Sequence, residues 1–279
     1  MNTIGGLHAH YETSSTQSVV LEAAARTHVG VVRKANEDSM IAERPIFLVA
    51  DGMGGHEAGD LASAAAIDAF RALVGTTLQL RPADVDAAIE VARAAVLEIA
   101  GHTERGAGCT LTGVVLVEHL NEPCWYVVNI GDSRVYEHTG ASLMQLTNDH
   151  SLRAELQAAG SANAAKAPRN VITRALGSED SRHDAWLIPV TTGSRLLLCS
   201  DGLTTEVSDE EIRAVLTVGG RPDAVADELV RRACEAGGRD NVTVVIVDTV
   251  AGAAEHDDDH EDFGSTMDAT IEITRPVRR

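Results

Sequence analysis

The chain has 279 residues, of which 44% are hydrophobic and only 3% aromatic, and its formal net charge is −19. This composition excludes wholesale disorder and predicts a core of Ala, Val, Leu and Ile. The negative charge argues against a nucleic-acid partner and against docking on an anionic membrane, because both partners require clustered Lys and Arg.

Cysteine usage and the N-terminus bear on the compartment. The four cysteines are scattered without a CxxC pair. We interpret them as small buried core residues rather than disulfide or zinc ligands, which fits a reducing cytosol. Residues 1–17 lack the features of a signal peptide, and no run approaches the ~20 apolar residues of a membrane helix. We therefore expect a cytoplasmic protein, and we take it to be a monomer.

Composition divides the chain into three segments. Residues 1–17 are polar and predict a flexible N-terminal arm, whereas residues 18–250 carry the strand and helix patterns of one folded domain. Residues 251–279 contain the run EHDDDHED and predict an acidic, disordered tail. Thr266 and Thr270 in this tail are candidate phosphorylation sites, with an inert solubilising tail as the alternative.

The first half of the domain predicts strands followed by two helices. SVVLEAAARTHVGVV at 18–32 predicts one or two strands, and MIAERPIFLVA at 40–50 predicts another that leads into a DGMGG turn. An Ala-rich helix is expected at 57–73, and a second one opens near Pro82 and closes at Gly101.

The middle of the chain returns to strands. Tight turns join three short apolar runs, which favours an antiparallel meander. These runs are 109–119, 124–131 and 133–138. A short helix is expected at 151–160, and a surface loop at 161–170.

The last third predicts a strand at 195–201, two helices and a final strand at 241–250. Ser208 and Glu211 form a capping box for the first of these helices, and Pro222 opens the second. Because regular β-α-β alternation is absent, the pattern favours antiparallel sheets with helices packed outside them.

Three Asp residues stand at the ends of apolar runs: Asp51 in IFLVADGMGG, Asp201 in RLLLCSDGL and Asp240 in GGRDNVTVVIV. Two of them precede Gly, which lets the backbone turn sharply and approach a ligand. Carboxylates gathered at one rim repel each other unless a cation lies between them, and Mg²⁺ or Mn²⁺ prefers such oxygen ligands. The sequence therefore predicts a metal site.

Other short motifs leave alternatives open. The DGMGG turn does not complete GxGxxG and lacks GK[ST], so a nucleotide loop is disfavoured. In RKANEDS, Arg33 could form a surface salt bridge with Glu37 and Asp38. Alternatively, the Arg33 guanidinium could bind a phosphate while the two acids hold metal-bound waters. Asp132 in GDSRVY could be a turn residue or an additional metal ligand.

Eight motifs in order resemble one known family. They are VRKANEDS, LVADGMGGHEAGDLAS, CTLTG, NIGDSRVY, LTNDHSL, ITRALG, LLLCSDGL and GGRDNVTVVIV. The series, from about residue 25 to 249, is similar to the metal-dependent protein phosphatases, the type 2C serine/threonine phosphatases, in their compact bacterial form. The resemblance implies an α+β fold, a sandwich of two antiparallel sheets with helices on both outer faces.

The resemblance also implies roles for single residues. Asp51 would bridge two Mn²⁺ or Mg²⁺ ions, with the Gly52 carbonyl as a further ligand. Asp201 and Asp240 would complete the carboxylate ligands. By the same resemblance, Arg33 would bind the phosphate, Glu37 and Asp38 would orient water, and Asp132 would hold a third, weaker ion. Residues 152–170 match the family's flap beside the active site.

The function implied is hydrolysis of phosphoserine and phosphothreonine in proteins, with a cognate Ser/Thr kinase as a candidate partner. Met53 stands where the animal branch has a His proposed as general acid, so no general acid is assigned, although His56 lies nearby. The alternatives are a non-catalytic domain that binds phosphoproteins and an enzyme dedicated to one regulatory partner.

Overall fold

A computed structural model describes residues 3–12, 18–54, 58–75, 80–104, 106–168 and 171–252, and only the backbone of residues 3–12 and 18. The helices within these residues, with one short 3₁₀ turn at Ala164–Lys166, are α1 Ala58–Arg71, α2 Pro82–Gly101, α3 Leu152–Ala158, α4 Asp201–Thr204, α5 Asp209–Val218 and α6 Pro222–Ala236. The predicted tail, with Thr266 and Thr270, lies outside the described residues apart from its first two positions.

The strands form two large antiparallel sheets and one small pair. They are β1 Thr3–Glu12, β2 Ser18–His28, β3 Ser39–Glu43, β4 Ile46–Ala50, β5 Gly52–Met53, β6 Gly108–Cys109, β7 Leu111–His119, β8 Glu122–Ile130, β9 Arg134–Thr139, β10 Ser142–Gln145, β11 Asp184–Pro189, β12 Arg195–Cys199 and β13 Val242–Ala251. One sheet has the order β1-β2-β13-β12-β9-β10, the other β11-β8-β7-β4-β3, and β5 pairs with β6.

Three apolar layers hold the sandwich together. Between the sheets, Phe47 of one sheet lies edge-on to Trp125 and packs with residues such as Val245 of the other. Helices α1 and α2 cover the outer face of the five-stranded sheet, and α4, α5 and α6 cover that of the six-stranded sheet. The predicted layering of helices outside two antiparallel sheets is therefore confirmed.

Strand β13 shows why the central strands have no polar face. Because side chains alternate across a strand, Val242, Val244 and Ile246 pack against the helices. Val245 and Val247 point between the sheets instead. A strand buried on both faces is therefore apolar at most positions, and in β13 the buried Thr243 is an exception whose hydroxyl donates a hydrogen bond to Asp38.

The structure corrects two strand predictions. The run 40–50 is not one strand but the hairpin β3–β4, because Pro45 sits in the turn and cannot donate to a sheet ladder. The expected three-strand meander is also wrong, since β7 and β8 pair with each other but β9 joins the other sheet, between β10 and β12. Gly131 and Asp132 carry the chain from one sheet to the other.

The predicted N-terminal arm differs as well. Thr3–Glu12 forms strand β1 and pairs antiparallel with β2 at the edge of the six-stranded sheet. An edge strand offers unpaired backbone groups that can recruit a further strand, which is the physical reason for the difference. Residues 1–2 and 13–17 lie outside the described residues.

Helix boundaries follow the expected signals. Ser208 accepts a hydrogen bond from the Glu211 backbone N–H, and the Glu211 carboxylate accepts one from the Ser208 N–H, which confirms the predicted capping box. Pro222 opens α6 and Gly237 ends it. In the part of the chain that the structure describes, no helix combines the length and apolar character needed to cross a membrane.

Candidate metal centre

Asp51 lies immediately after β4, where its backbone is fixed on both sides. Its N–H donates to the Thr110 hydroxyl at 2.9 Å, and its carbonyl accepts from the Thr110 N–H at 2.9 Å. A Cβ on the next residue, Gly52, would lie 2.2 Å from the Gly59 carbonyl oxygen and 2.5 Å from that of Glu37. Only glycine fits there, so the absence of a side chain lets three segments meet at the strand end.

Asp38 is a buried carboxylate with one satisfied and one unsatisfied oxygen. Its Oδ2 accepts hydrogen bonds from Thr243 at 2.6 Å and Ser200 at 2.9 Å. Its Oδ1 is buried without a hydrogen-bond partner within the described residues. Burial raises the pKa of Asp38 to about 7, with a further contribution from the charges of Asp201 and Asp240.

Asp240 and Arg33 meet at the exposed side of the site. Asp240 precedes β13, and its Oδ1 accepts from the Asn241 N–H at 2.8 Å. Arg33 Nη2 donates to Asp240 Oδ2 at 2.7 Å, while half of the Arg33 side chain stays exposed to solvent. The guanidinium is therefore anchored at the rim and still open toward a ligand.

Asp132 lies in the turn between β8 and β9. It is buried, and its Oδ1 has no hydrogen-bond partner among the residues described. Burial raises the pKa of Asp132 to about 7, and the charge of Asp201 adds to this. The neighbouring Ser133 hydroxyl lies 2.9 Å from the hydroxyl of Thr110, the residue that also fixes Asp51. The Asp132 turn and the Asp51 strand end therefore share one anchor.

The carboxylates influence one another strongly. Burial raises the pKa of Asp51 well above its usual value, and the charges of Asp38, Asp201, Asp132 and Asp240 raise it further. Burial also raises the pKa of Asp201 to about 6, and the charge of Asp240 adds to this. Such a set of buried acids favours either protons or a cation among them.

The donors fit a hard divalent cation. Carboxylate oxygens are the ligands that Mg²⁺ and Mn²⁺ prefer, and the buried Oδ1 atoms of Asp38 and Asp132 need partners. Across the described ranges, however, no three His, Cys, Asp or Glu side chains are already arranged as an ion cage. The backbone brings the acids together, and rotation of their side chains would have to converge the oxygens on an ion.

A cleft of about 280 Å³ opens beside this cluster. Its lining includes Asp132 and Asp201 together with Arg153 and Gln157 of the flap. The structure thus brings the predicted residues Arg33, Glu37, Asp38, Asp51, Gly52, Asp132, Asp201 and Asp240 to one end of the sandwich. His56 lies outside the described residues.

Sequence reasoning missed the residues that hold the loop around Arg33. Asn241 accepts a hydrogen bond from the Glu37 N–H at 2.8 Å and donates to the carbonyls of Val29 and Ala35 at 3.0 and 2.9 Å. Its position directly after Asp240, at the start of a strand, was the available signal. Its hydrogen-bond partners lie some 200 residues away in the sequence and could not be predicted from it.

Comparison with known proteins agrees with this geometry. Residues 33–238 match the family model described as protein phosphatase 2C. The serine/threonine phosphatase Stp of Listeria monocytogenes is 36% identical over 248 residues, which cover 82% of this chain and 96% of Stp.

Solved structures give the same result. A crystal structure of the serine/threonine phosphatase PstP from Mycobacterium tuberculosis aligns with a TM-score of 0.74 at 35% identity, over 84% of this chain and 100% of that one. The PstP catalytic domain in complex with two manganese ions aligns with a TM-score of 0.76 at 34% identity, over the same shares.

A helix-flanked antiparallel sandwich with a carboxylate cluster at one end defines a class of metal-dependent phosphoprotein hydrolases. The chain belongs to the protein phosphatase 2C family.

Proposed function

We propose that this chain is a serine/threonine protein phosphatase that hydrolyses phosphoserine and phosphothreonine in proteins with Mn²⁺ or Mg²⁺. The observation that carries the proposal is the cluster of buried acids Asp38, Asp51, Asp132 and Asp201, whose pKa values are raised by burial and by their mutual charge. The family and its relatives supply the reaction class.

Three carboxylates and one carbonyl would hold the two principal ions. These are Asp51, Asp201, Asp240 and the Gly52 carbonyl, with Asp132 as a ligand of a third, weaker ion. When bound, such ions lower the pKa of a coordinated water and stabilise negative charge on phosphate oxygens.

Arg33 would bind and orient the phosphate. Its planar fork suits a phosphate dianion, and the hydrogen bond to Asp240 holds one edge of the guanidinium while the rest faces solvent. Removing positional freedom from the reacting groups is a large part of phosphoryl-transfer catalysis.

Glu37 and Asp38 would orient the attacking water. Asp38 is rigid, because Ser200 and Thr243 bind its Oδ2 and leave Oδ1 with unused acceptor capacity. Glu37 is fixed through its backbone by Asn241, and its carboxylate lies beside Gly59. Both acids thus have restricted positions relative to the Asp51 strand end.

The experiment is phosphate release from p-nitrophenyl phosphate and from a phosphothreonine peptide, with Mn²⁺ and after EDTA treatment. Release from both substrates should require the metal. Activity that survives EDTA undiminished would remove the two-metal mechanism. Phosphopeptide binding without any release would instead support the non-catalytic alternative.

A cognate Ser/Thr kinase would supply the phosphorylated substrates, and the enzyme would act as a cytoplasmic monomer. The domain limit near residue 250 and a dispensable tail beyond it belong to the same proposal. Sedimentation of the full chain checks the oligomeric state.

A further inference from the structure

His150 is a buried histidine that forms two hydrogen bonds with Gly131. Its backbone N–H donates to the Gly131 carbonyl at 2.9 Å, and its ring Nδ1 accepts from the Gly131 N–H at 3.1 Å. The ring is almost completely shielded from solvent. Gly131 is the residue before Asp132, so this double contact fixes the start of the turn that carries the buried acid.

The contacts of the ring determine its tautomer. A backbone N–H can only donate, so Nδ1 must be unprotonated and the ring proton must lie on Nε2. Nε2 then donates to Asp184 Oδ2 at 3.0 Å. Arg174 Nη1 donates to the other oxygen, Asp184 Oδ1, at 2.9 Å, which makes its 3.3 Å approach to His150 Nε2 a proximity of two donors rather than a bond. Asp184 therefore orients the ring.

The same residue closes the base of the flap. The carbonyl of His150 accepts from the Thr173 N–H at 2.8 Å, and the Leu152 N–H donates to the Val171 carbonyl at 2.9 Å. The flap thus leaves the domain just after His150 and returns just before Thr173. His150 lies between the Asp132 turn and the two ends of the flap. It forms hydrogen bonds with Gly131 of the turn and with Thr173 at the end of the flap.

The conformation and close packing of Gly131 restrict the geometry of this turn. Gly131 has φ +111°, and a Cβ there would lie 2.5 Å from Thr110 Cγ2. The turn is therefore pressed against the Thr110 anchor on one side and bonded to His150 on the other.

We propose that His150 is a positioning residue of the phosphatase, which holds the Gly131–Asp132 turn in one geometry relative to the flap. The inference rests on the proposed function for its effect on turnover, but not for the contact itself. The accepting Nδ1 is the essential atom, and the Nε2–Asp184 bond serves to aim it.

Two substitutions separate these two ring atoms. His150→Asn keeps an acceptor oxygen near the position of Nδ1, whereas His150→Gln keeps an amide donor near Nε2 and loses that acceptor. His138→Gln is the matched control, because His138 is also a buried imidazole but bonds to Thr217, away from the site. Thermal unfolding of each metal-free variant establishes that it is folded.

The first measurement is amide hydrogen exchange in the metal-free full chain. The Gly131 amide should exchange about tenfold faster or more in His150→Gln, and close to the parent rate in His150→Asn and His138→Gln. Equal exchange in the two His150 variants would overturn the proposal. If His150→Gln does not fold, Asp184→Asn replaces it, and unchanged Gly131 exchange there would overturn the aiming role.

The second measurement is Mn²⁺ titration by calorimetry with phosphopeptide turnover alongside. His150→Gln should weaken the weakest Mn²⁺ binding event about tenfold and leave the tighter events unchanged. Added to Asp132→Ala, it should cause no further loss of turnover, since both changes act through one turn. Additive losses would contradict the proposal. A parent without metal-dependent turnover would refute the proposed function alone, because the exchange measurement still decides the role of His150.

Discussion

Carboxylates at the rim of the sandwich and carboxylates on the outer helices have opposite surroundings. On the helices, Glu228 accepts hydrogen bonds from Arg231 and Arg232, which lower its pKa to about 2. Glu210 has Arg213 as its partner and likewise a lowered pKa. At the rim, burial raises the pKa of Asp38 and Asp132 to about 7.

The difference shows where the chain depends on something outside itself. Arginine neutralises each of these helix acids within a turn of the same helix. At the rim the acids raise one another's pKa values, and Arg33 donates a hydrogen bond to Asp240 at the exposed side. Surface pairs add little to stability, whereas buried charges need a partner. Substitutions in the two regions should therefore have very different effects.

The largest effect is expected at the rim from Asp240→Asn. The change removes a charged ligand while keeping the shape of the side chain, so turnover with Mn²⁺ should fall about 100-fold or more, because losing a direct ligand should cost at least as much as the largest outer-shell losses at metal sites. Steady-state kinetics on a phosphothreonine peptide measure it. Asp68→Asn, the same substitution on the exposed surface of α1, is the control, and near-parent turnover in Asp240→Asn would refute the ligand assignment.

Arg33→Ala should have a smaller effect of a different kind. The guanidinium contacts the phosphate in our proposal, so KM should rise about tenfold, equivalent to ~1.4 kcal/mol. Inhibition by inorganic phosphate should weaken in parallel. Arg182→Ala, which removes an exposed guanidinium paired with Asp180, should change neither quantity. An unchanged KM in Arg33→Ala would mean that Arg33 forms a surface salt bridge and does not bind the phosphate.

The metal-free protein should lose stability as pH rises. The pKa of Asp38 is raised from 3.8 to about 7 in the folded state, so the folded chain binds more protons than the unfolded chain between these values. The contribution of Asp38 to the free energy of unfolding should therefore be fully present below about pH 4 and fall toward pH 7, by roughly 3 kcal/mol. Urea unfolding in EDTA tests this. Asp38→Asn cannot titrate at this position and should reduce the slope, and a parent whose stability rises over this range contradicts the prediction.

The smallest effect is expected on the outer surface. Glu228→Gln breaks two ion pairs with Arg231 and Arg232, yet the free energy of unfolding should change by less than about 1 kcal/mol, because solvent screens partly exposed pairs. Chemical unfolding at neutral pH measures it, and turnover should stay at the parent level. A loss comparable to that of a rim substitution would show that the two regions do not differ as described.

Local signals in the sequence predicted which carboxylates come together in the fold better than they predicted the pairing of strands. Asp51, Asp201 and Asp240 were recognisable because each ends or begins an apolar strand, a property of a few neighbouring residues. Sheet membership depends on distant partners, so the assignment of β9 to its sheet was wrong. Asn241 and His150 were missed for the same reason, since their hydrogen bonds join segments far apart in the chain.

The scarcity of aromatic residues gives the protein a selective optical reporter. The chain has two tryptophans, and both belong to the layer between the sheets. Trp125 is buried against Phe47, and Trp186 packs at the margin of the same layer. Fluorescence should therefore follow separation of the two sheets and stay nearly constant when ions or phosphate bind at the rim. A single emission spectrum can thus distinguish a variant that has lost its ligands from one that has lost its fold.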